Sequence, residues 1–207
     1  MYFWLLSLLS ASVAEDPGTW TSINLESTLS FSGFNGTSLI IHNDLFYLFG
    51  GENANTFNEN LTEFYPNGTL YASISCPSNL TARSHHTFTD VTTGAIIVGG
   101  KYLNSSTETA LGDVWFYNYT SRTFTQKDSL PNDTLLYEHC ACYDSSNDMI
   151  VLFGGYGSMN GSTYADHDNV YIATSGMTFS TYFLLLLHPL LFRYRLVFHP
   201  HHVLDNG

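Results

Sequence analysis

Positively charged residues are scarce in this chain. Only six of its 207 residues are Lys or Arg, against 18 Asp and Glu, which gives a formal net charge of −12. A surface so poor in cations cannot follow a phosphate backbone, so we expect no nucleic-acid partner. Acidic charge of this kind is more typical of a solvated surface than of a calcium site or a site for a cationic ligand.

Cysteine is also scarce, and its number is odd. Cys76, Cys140 and Cys142 are the three cysteines, so a framework in which every cysteine is paired is excluded. On a strand, Cys140 and Cys142 would share one face and lie too close in sequence to form a disulfide without strain. Either of them could instead form a disulfide with Cys76. The stretch HCAC, which begins at His139, lacks a second ligand pair at zinc-like spacing, so we interpret it as strand cysteines.

Motifs for catalysis and for cofactors are missing as well. No Gly-rich loop opens a helix, so the chain has no nucleotide fingerprint. His85 and His86 are adjacent, and on a strand they would point to opposite faces, which disfavours joint coordination of a metal. Asp166, His167 and Asp168 stand in a loop, for which solvated side chains are a simpler interpretation than a calcium site. We therefore predict no catalytic residue, no metal site and no cofactor.

The N-terminus is typical of a secretory signal peptide. An apolar run from Tyr2 to Leu9 is followed by small residues, with Ser12 and Ala14 before a plausible cleavage site at Glu15. No Lys or Arg precedes the run, and the alternative is a buried N-terminal strand. We predict a signal peptide at residues 1–14, and hence a secreted or cell-surface protein.

Glycosylation acceptors support the secretory interpretation independently. Eight of the sixteen asparagines begin an N-x-[ST] triplet, more than chance would give. A glycan-coated surface requires passage through the secretory compartment. The acceptors are Asn35, Asn60, Asn67, Asn79, Asn104, Asn118, Asn132 and Asn160.

Three Gly-Gly pairs mark an internal repeat. The pairs Gly50-Gly51, Gly99-Gly100 and Gly154-Gly155 each end an apolar run and are separated by 49 and 55 residues. Periods near 50 residues indicate a repeat architecture. Before each apolar run come a polar turn and another strand-like run, and after each pair an aromatic strand meets a further turn. This pattern predicts that each unit forms four antiparallel strands in meander order, and that the whole fold is all-β.

The glycines have a physical explanation in such a fold. A strand that is apolar on both faces is covered on both faces, as in an inner strand stacked between neighbouring sheets. Residues without a side chain at its end allow close approach of backbones and an unusual φ. Radially stacked four-stranded sheets create this crowding near their axis.

The units resemble the kelch repeats of β-propellers. The marks are the Gly-Gly pairs, the DVWFYN strand after the second pair, the ARSHHTFTD stretch (82–90) before its hairpin, and TWTSI (19–23) as an outer strand of a preceding unit. The aromatic residues that carry the resemblance are Trp20, Tyr65, Trp115, Tyr117 and Tyr171. The third unit departs from the pattern, since it lacks the aromatic-rich outer strand.

The resemblance implies a partial kelch propeller of about three blades. We place an N-terminal segment with the preceding outer strand at 15–37, and the blades at 38–75, 82–126 and, incomplete, 135–176. Kelch propellers close with four or more blades, so apolar blade faces would stay exposed. Either the chain oligomerises to complete a ring, or it is an incomplete version of a longer protein, which we favour.

The C-terminal segment 177–207 no longer resembles the repeat. Residues 177–192 carry no formal charge and are followed by Arg193 and Arg195, which is typical of a type I membrane anchor. His188-Pro189 argues against a stable span, and a mispacked strand or a non-native chain end is the alternative. The HPHH stretch at 199–202 is interpreted as coincidence rather than a metal site.

The expected function is that of a binding module. Propellers present loops on a rigid scaffold, and here the loops after each Gly-Gly pair are long and polar. We expect an extracellular protein or carbohydrate ligand, an adhesion or receptor-like role and no catalysis, on fold-level analogy. The alternative is a secreted carbohydrate-active enzyme, because the kelch family includes copper oxidases of the galactose oxidase type. The three cysteines match no pattern of that copper site, so no residue is carried over.

Overall fold

The computed structural model describes residues 35–53, 56–104, 107–174 and 178–182. Within these ranges the protein is all-β and contains no helix. The described residues form nineteen strands: β1 (Ser38–His42), β2 (Leu45–Phe49), β3 (Glu52–Asn53), β4 (Thr56–Phe57), β5 (Asn60–Phe64), β6 (Leu70–Ser75), β7 (Thr87–Val91), β8 (Gly94–Val98), β9 (Lys101–Asn104), β10 (Thr107–Ala110), β11 (Val114–Asn118), β12 (Thr123–Gln126), β13 (Leu135–Tyr137), β14 (Cys140–Asp144), β15 (Met149–Phe153), β16 (Tyr156–Ser158), β17 (Ala165–Asp166), β18 (Val170–Thr174) and β19 (Ser180–Tyr182).

Three four-stranded antiparallel sheets carry the architecture. Sheet 1 has the order β1-β2-β5-β6, sheet 2 the order β7-β8-β11-β12 and sheet 3 the order β14-β15-β18-β19. In each sheet the chain leaves after the second strand, forms a small sheet of short strands, and returns as the third strand. These small sheets are β3-β4, β9-β10 and β13-β16-β17, the last of which also includes β13 from before the first strand of sheet 3. The prediction of an all-β fold with several four-stranded meander sheets is confirmed, and it is compatible with a partial β-propeller.

The three sheets stack face to face, with sheet 2 in the middle. On β8, Ala95 and Ile97 belong to the core shared with sheet 1, whereas Ile96 and Val98 belong to the core shared with sheet 3. Successive side chains of a strand point to opposite faces, so β8 is apolar and buried along its whole length. The first strands meet at one edge of the stack, because β7 contacts both β1 and β14.

The same backbone hydrogen bonds join each pair of neighbouring sheets. The amide of Gly51 donates to the carbonyl oxygen of Arg83, and the amide of Gly100 donates to that of Leu136, both at 2.8 Å. Close to these bonds, the amide of His85 donates to Gly36 and the amide of Glu138 donates to His85, both at 2.9 Å. One geometric step therefore relates sheet 1 to sheet 2 and sheet 2 to sheet 3.

The glycine pairs lie where neighbouring sheets come closest. All six glycines have a positive φ, between 56° and 99°, a region that residues with a side chain rarely adopt. A Cβ on Gly99 would lie 2.2 Å from the carbonyl oxygen of Leu136 on β13, and one on Gly50 would lie 2.5 Å from that of Arg83, which precedes β7. A side chain at either position would push the next sheet away.

No described part of the chain packs on the outer face of sheet 3 in this way. Phe49 and Val98, the residues before the first two Gly-Gly pairs, are each 1% exposed, but the equivalent Phe153 is 51% exposed. Among the described residues, a Cβ on Gly154 would have no contact closer than 3.9 Å. Along the described chain, the face of sheet 3 that carries Phe153 is thus not covered in the way that the equivalent faces of sheets 1 and 2 are.

Several sequence predictions fall outside the described residues. These are the signal peptide at 1–14, the outer strand at 19–23 with Trp20, and residues 183–207 with the HPHH stretch. The fourth strand of sheet 3, β19, lies beyond Gly176, in the segment that the sequence assigned to the atypical tail. None of the described residues belongs to a helix long and apolar enough to cross a membrane.

Candidate functional site

Residues of all three sheets converge at the end of the stack where the Gly-Gly pairs lie. Glu52, Lys101 and Tyr156 directly follow the glycine pairs. Each of them pairs in antiparallel register with a residue that precedes the first strand of its own sheet: Asn35, Ser84 and Tyr137, respectively. We call this surface, with its three small sheets, the loop face.

His85 lies between two carboxylates at the centre of the loop face. Its Nε2 is 3.6 Å from Oε1 of Glu52, which lies on β3 of the first repeat, and its Nδ1 is 3.4 Å from Oε1 of Glu138, which leads into sheet 3. His85 has a φ of 54°, and Glu138 one of 57°. Both residues thus have a left-handed backbone, and at His85 groups from three repeats meet.

Lys101 joins the same cluster. Its Nζ lies 2.8 Å from Glu108 and 3.8 Å from Glu52. Burial lowers the pKa of Lys101, but the hydrogen bond to Glu108 and the charge of Glu52 outweigh it, so the pKa is raised above its ordinary value. Lys101 is therefore a permanent cation between the carboxylates of Glu52 and Glu108.

Tyrosine rings border the charged cluster. The rings of Tyr137 and Tyr156 meet edge to face at 5.6 Å, and Tyr164 lies 6.0 Å from Tyr156. The hydroxyl of Tyr164 accepts a hydrogen bond from the amide of Ala110, which ties the loop of sheet 3 to that of sheet 2. Tyr164 is 41% exposed, so an aromatic surface stands open beside the charges.

This arrangement is suited to binding. Glu108 and Glu138 have side chains that are 54% exposed, and they provide acceptors for hydroxyl or ammonium groups of a ligand. Tyr156 and Tyr164 provide flat apolar surface with polar tips. Carboxylates, one fixed cation and aromatic rings form a surface that recognises a polar ligand with an apolar side.

A buried ion pair supports the loop face from below. Both terminal nitrogens of Arg83 donate to the carboxylate of Asp113, at 2.6 and 2.7 Å, and Nη1 also donates to the carbonyl oxygen of Gly99. The indole nitrogen of Trp115 donates to Asp113 as well, at 2.7 Å. Arg83 is fully buried, and its bidentate pairing fixes the segment that leads into His85.

A second polar cluster lies inside the interface between sheets 1 and 2. The hydroxyl of Tyr117 donates to Glu63 at 2.7 Å, and Nη2 of Arg122 lies 2.9 Å from the other oxygen of that carboxylate. The hydroxyl of Tyr119 donates to Asp90 at 2.5 Å. Burial, followed by these carboxylates, raises the pKa values of both tyrosines. Because Glu63 is 1% exposed, the cluster connects the sheets rather than facing a ligand.

His86 and His139 occupy equivalent buried positions. Burial holds the pKa of His86 well below its ordinary value and lowers that of His139 to about 4, so both are neutral near pH 7. A Cβ on Gly50 would lie 2.5 Å from the ring of His86, and one on Gly99 would lie 3.3 Å from the ring of His139. The first glycine of a pair thus leaves room for the histidine of the next repeat.

The structure separates the residues for which a metal site was considered. Cys140 and Cys142 are exposed on the outer face of sheet 3, whereas His139 is buried at the interface with sheet 2. Asp166 and Asp168 are exposed. No group of three or more His, Cys, Asp or Glu in the described ranges is arranged to hold a metal ion.

Cys76 lies apart from the other two cysteines. It packs against the core between sheets 1 and 2, and all three cysteines are free thiols. The bridge from Cys76 that the sequence left open is therefore not formed. Burial raises the pKa of Cys76 to about 12.

Most of the predicted glycosylation acceptors are accessible. Five asparagines are exposed, and Asn60 and Asn118 are half-buried at the ends of strands. The exposed ones are Asn35, Asn67, Asn79, Asn132 and Asn160. Asn104 belongs to β9, and its side chain is not among the described parts of the structure.

The aromatic residues of the repeat have two different environments. Trp115, Tyr117 and Tyr171 are at most 2% exposed and fill the interfaces between sheets. Tyr65 is 42% exposed at the turn between β5 and β6, where its ring meets that of Tyr71.

Comparisons with known proteins find no family model that matches the chain and no similar curated protein. The geometry described above is therefore the basis for the function.

Proposed function

We propose that this protein is an extracellular, N-glycosylated binding module of the kelch propeller type, which holds its ligand at the loop face. The observation that carries the proposal is the convergence of Glu52, His85 and Glu138 from three successive repeats. The repeated hydrogen bonds between sheets make this convergence rigid, and a rigid scaffold with projecting loops favours recognition.

The ligand class follows from the exposed groups of the loop face. Exposed carboxylates beside tyrosine rings suit a carbohydrate, whose hydroxyls donate to the carboxylates while its C–H face packs on a ring. They also suit a basic segment of an extracellular protein. We propose a carbohydrate as the first ligand class to test. The accessible acceptor asparagines support the extracellular part of the proposal.

A glycan array probed with the full chain tests this function. Tyr164→Ala removes a ring that is 41% exposed on the loop face, and Tyr65→Ala removes one that is 42% exposed at the outer turn of sheet 1. The proposal expects Tyr164→Ala to weaken binding at least about tenfold, because central aromatic contacts dominate recognition. Tyr65→Ala should leave binding unchanged. Equal effects of the two variants would exclude the loop face as the site.

The enzyme alternative gives a different result in the same assay. If the bound sugar is oxidised or hydrolysed, and a chelator abolishes the turnover, the protein is a carbohydrate-active enzyme. Binding without turnover supports the module.

A further inference from the structure

The acceptor Asn118 has an unusual local geometry at the turn between β11 and β12. Its Oδ1 accepts hydrogen bonds from the amides of Thr120 and Ser121, both at 2.9 Å. The amide of Arg122 donates to the Asn118 carbonyl oxygen at 2.8 Å and closes the turn. Oδ1 is thus engaged, while Nδ2, the atom that carries an N-linked glycan, donates to no described residue. The side chain is held in one orientation with its attachment atom free.

Phe116 lies two residues before Asn118 on the same face of β11. Residues two apart on a strand are about 7 Å from each other, which is about the width of one sugar ring. Asn118 pairs in register with Gly94. The ring of Phe116 covers this glycine, because a Cβ there would lie 2.5 Å from Cε2 of the ring. A sugar on Asn118 therefore has an aromatic ring beside its attachment point.

A cavity of about 260 Å³ opens beside Phe116, between the hairpin tips of sheets 2 and 3, and Asn118 lies next to this cavity without lining it. Its walls include Thr92, Thr93, Phe116, Lys127 and Tyr143. Nζ of Lys127 lies 5.6 Å from the centre of the Phe116 ring. The cavity is smaller than a site for a drug-sized ligand. Beside its aromatic wall lie threonine hydroxyls, the Lys127 ammonium and the carboxylate of Asp148, which accepts a hydrogen bond from the hydroxyl of Tyr143.

We propose that the first N-acetylglucosamine of a glycan on Asn118 packs its C–H face on Phe116 at the mouth of this cavity. The glycan then acts as a structural part that covers the junction of sheets 2 and 3. Its acetamido oxygen accepts a hydrogen bond from Lys127 or from a threonine hydroxyl. This inference rests on the proposed passage through the secretory route.

The covalent step is the ordinary transfer of a glycan from a lipid-diphosphate-linked oligosaccharide. Nδ2 of Asn118 forms a bond to C1 of the first sugar and loses one proton. The bond between C1 and the diphosphate oxygen breaks, and the lipid diphosphate leaves with the electron pair. No oxidant or reductant takes part.

The acceptor Asn79 provides a matched comparison. It is exposed, and Pro77 rather than an aromatic residue stands two positions before it. Thr120→Ala and Thr81→Ala abolish the two acceptor triplets without touching either asparagine. Any difference between the two variants therefore reports what the two glycans contact.

The experiment uses the full chain, secreted from eukaryotic cells behind a heterologous leader and trimmed by an endoglycosidase to one sugar per site. We expect Thr120→Ala to lower the midpoint of thermal unfolding by about 2–4 °C, the size of one good aromatic contact. Thr81→Ala should lower it by less than about 1 °C. The same variants made in bacteria, without glycans, should both match the unmodified protein.

A measurement on the unaltered glycoprotein avoids any loss of folding. With a ¹³C-labelled sugar, ring protons of the Asn118 residue should shift upfield in the NMR spectrum, because they lie over the Phe116 ring. Those of the Asn79 sugar should not. Normal shifts at Asn118, equal effects of the two variants, or an unoccupied Asn118 beside occupied acceptors would overturn this inference alone. A lack of glycan at every acceptor behind the chain's own leader would overturn the extracellular function instead.

Discussion

The stacking of repeats predicts a large difference between two equivalent glycines. Gly99 and Gly154 have φ values of 56° and 71°, so alanine at either position costs about 1–2 kcal/mol in backbone strain. The loss of glycine's freedom in the unfolded chain offsets about 0.4–1 kcal/mol of that cost. Gly154→Ala should therefore destabilise the protein by about 1 kcal/mol.

Gly99→Ala should destabilise the protein further, because its side chain also overlaps a neighbouring residue. Its Cβ would lie 2.2 Å from the carbonyl oxygen of Leu136, whereas the nearest contact of the Gly154→Ala Cβ among the described residues would be at 3.9 Å. Relief of this overlap moves sheet 3 and costs about 2 kcal/mol more, in the range of overpacking. For a chain of this size we expect the unfolding midpoint to fall by about 6–12 °C for Gly99→Ala and by about 2–4 °C for Gly154→Ala.

Far-UV circular dichroism during heating and urea titration measures both values. Gly161→Ala is the control for backbone strain, since Gly161 has a φ of 69° and its Cβ would meet no described residue within 4 Å. It should behave as Gly154→Ala does. Equal losses for Gly99→Ala and Gly154→Ala would refute the argument that the pairs make room for the next sheet.

Three more predictions concern buried groups. Because burial lowers the pKa of folded His139 to about 4 while the unfolded residue titrates near 6.5, the unfolded state binds more protons between these values. The contribution of His139 to the free energy of unfolding is then full above about pH 6.5 and falls by up to ~1.4 kcal/mol per pH unit towards pH 4. In urea titrations, His139→Gln should make the free energy of unfolding depend less steeply on pH between these values. An unchanged slope would contradict this reasoning. Arg83→Met leaves the carboxylate of Asp113 without its cation and should lower the free energy of unfolding by about 3 kcal/mol at pH 7. Chemical denaturation measures this loss, and an unchanged free energy of unfolding would show that the ion pair is solvated rather than buried. Iodoacetamide should modify the exposed Cys140 and Cys142 at least about tenfold faster than Cys76, whose thiol has a raised pKa. Peptide mass spectrometry measures the three rates, and equal rates would contradict the placement of Cys76 against the core.

The sheets could be predicted from the sequence because their signals are local. An apolar run such as β8 that ends in two glycines indicates a strand covered on both faces, and β8 is buried throughout. The unusual backbone expected of the glycines is present at all six. The short strands after each pair could not be predicted, since polar segments such as Glu52–Asn53 and Thr56–Phe57 lack hydrophobic alternation.

The loop face could be predicted only in part. The sequence indicated that the loops after the glycines would form the binding surface, but it did not single out Glu52, Lys101, Glu108 or Glu138. Glu52 and Glu138 belong to different repeats, and only the stacking of sheets brings both to His85. Alignment of the positions directly after each Gly-Gly pair would have suggested Glu52 and Lys101, because they occupy the same place in their repeats.

Amide hydrogen exchange tests most directly the claim that one repeated interface joins the sheets. The amides of Gly51 and Gly100 donate to carbonyl oxygens of the next repeat, whereas the equivalent amide of Gly155 has no acceptor among the described residues. Exchange followed by NMR should show strong protection at Gly51 and Gly100 and fast exchange at Gly155. Equally fast exchange at all three glycines would contradict the repeated interface, and with it the rigid scaffold of the loop face.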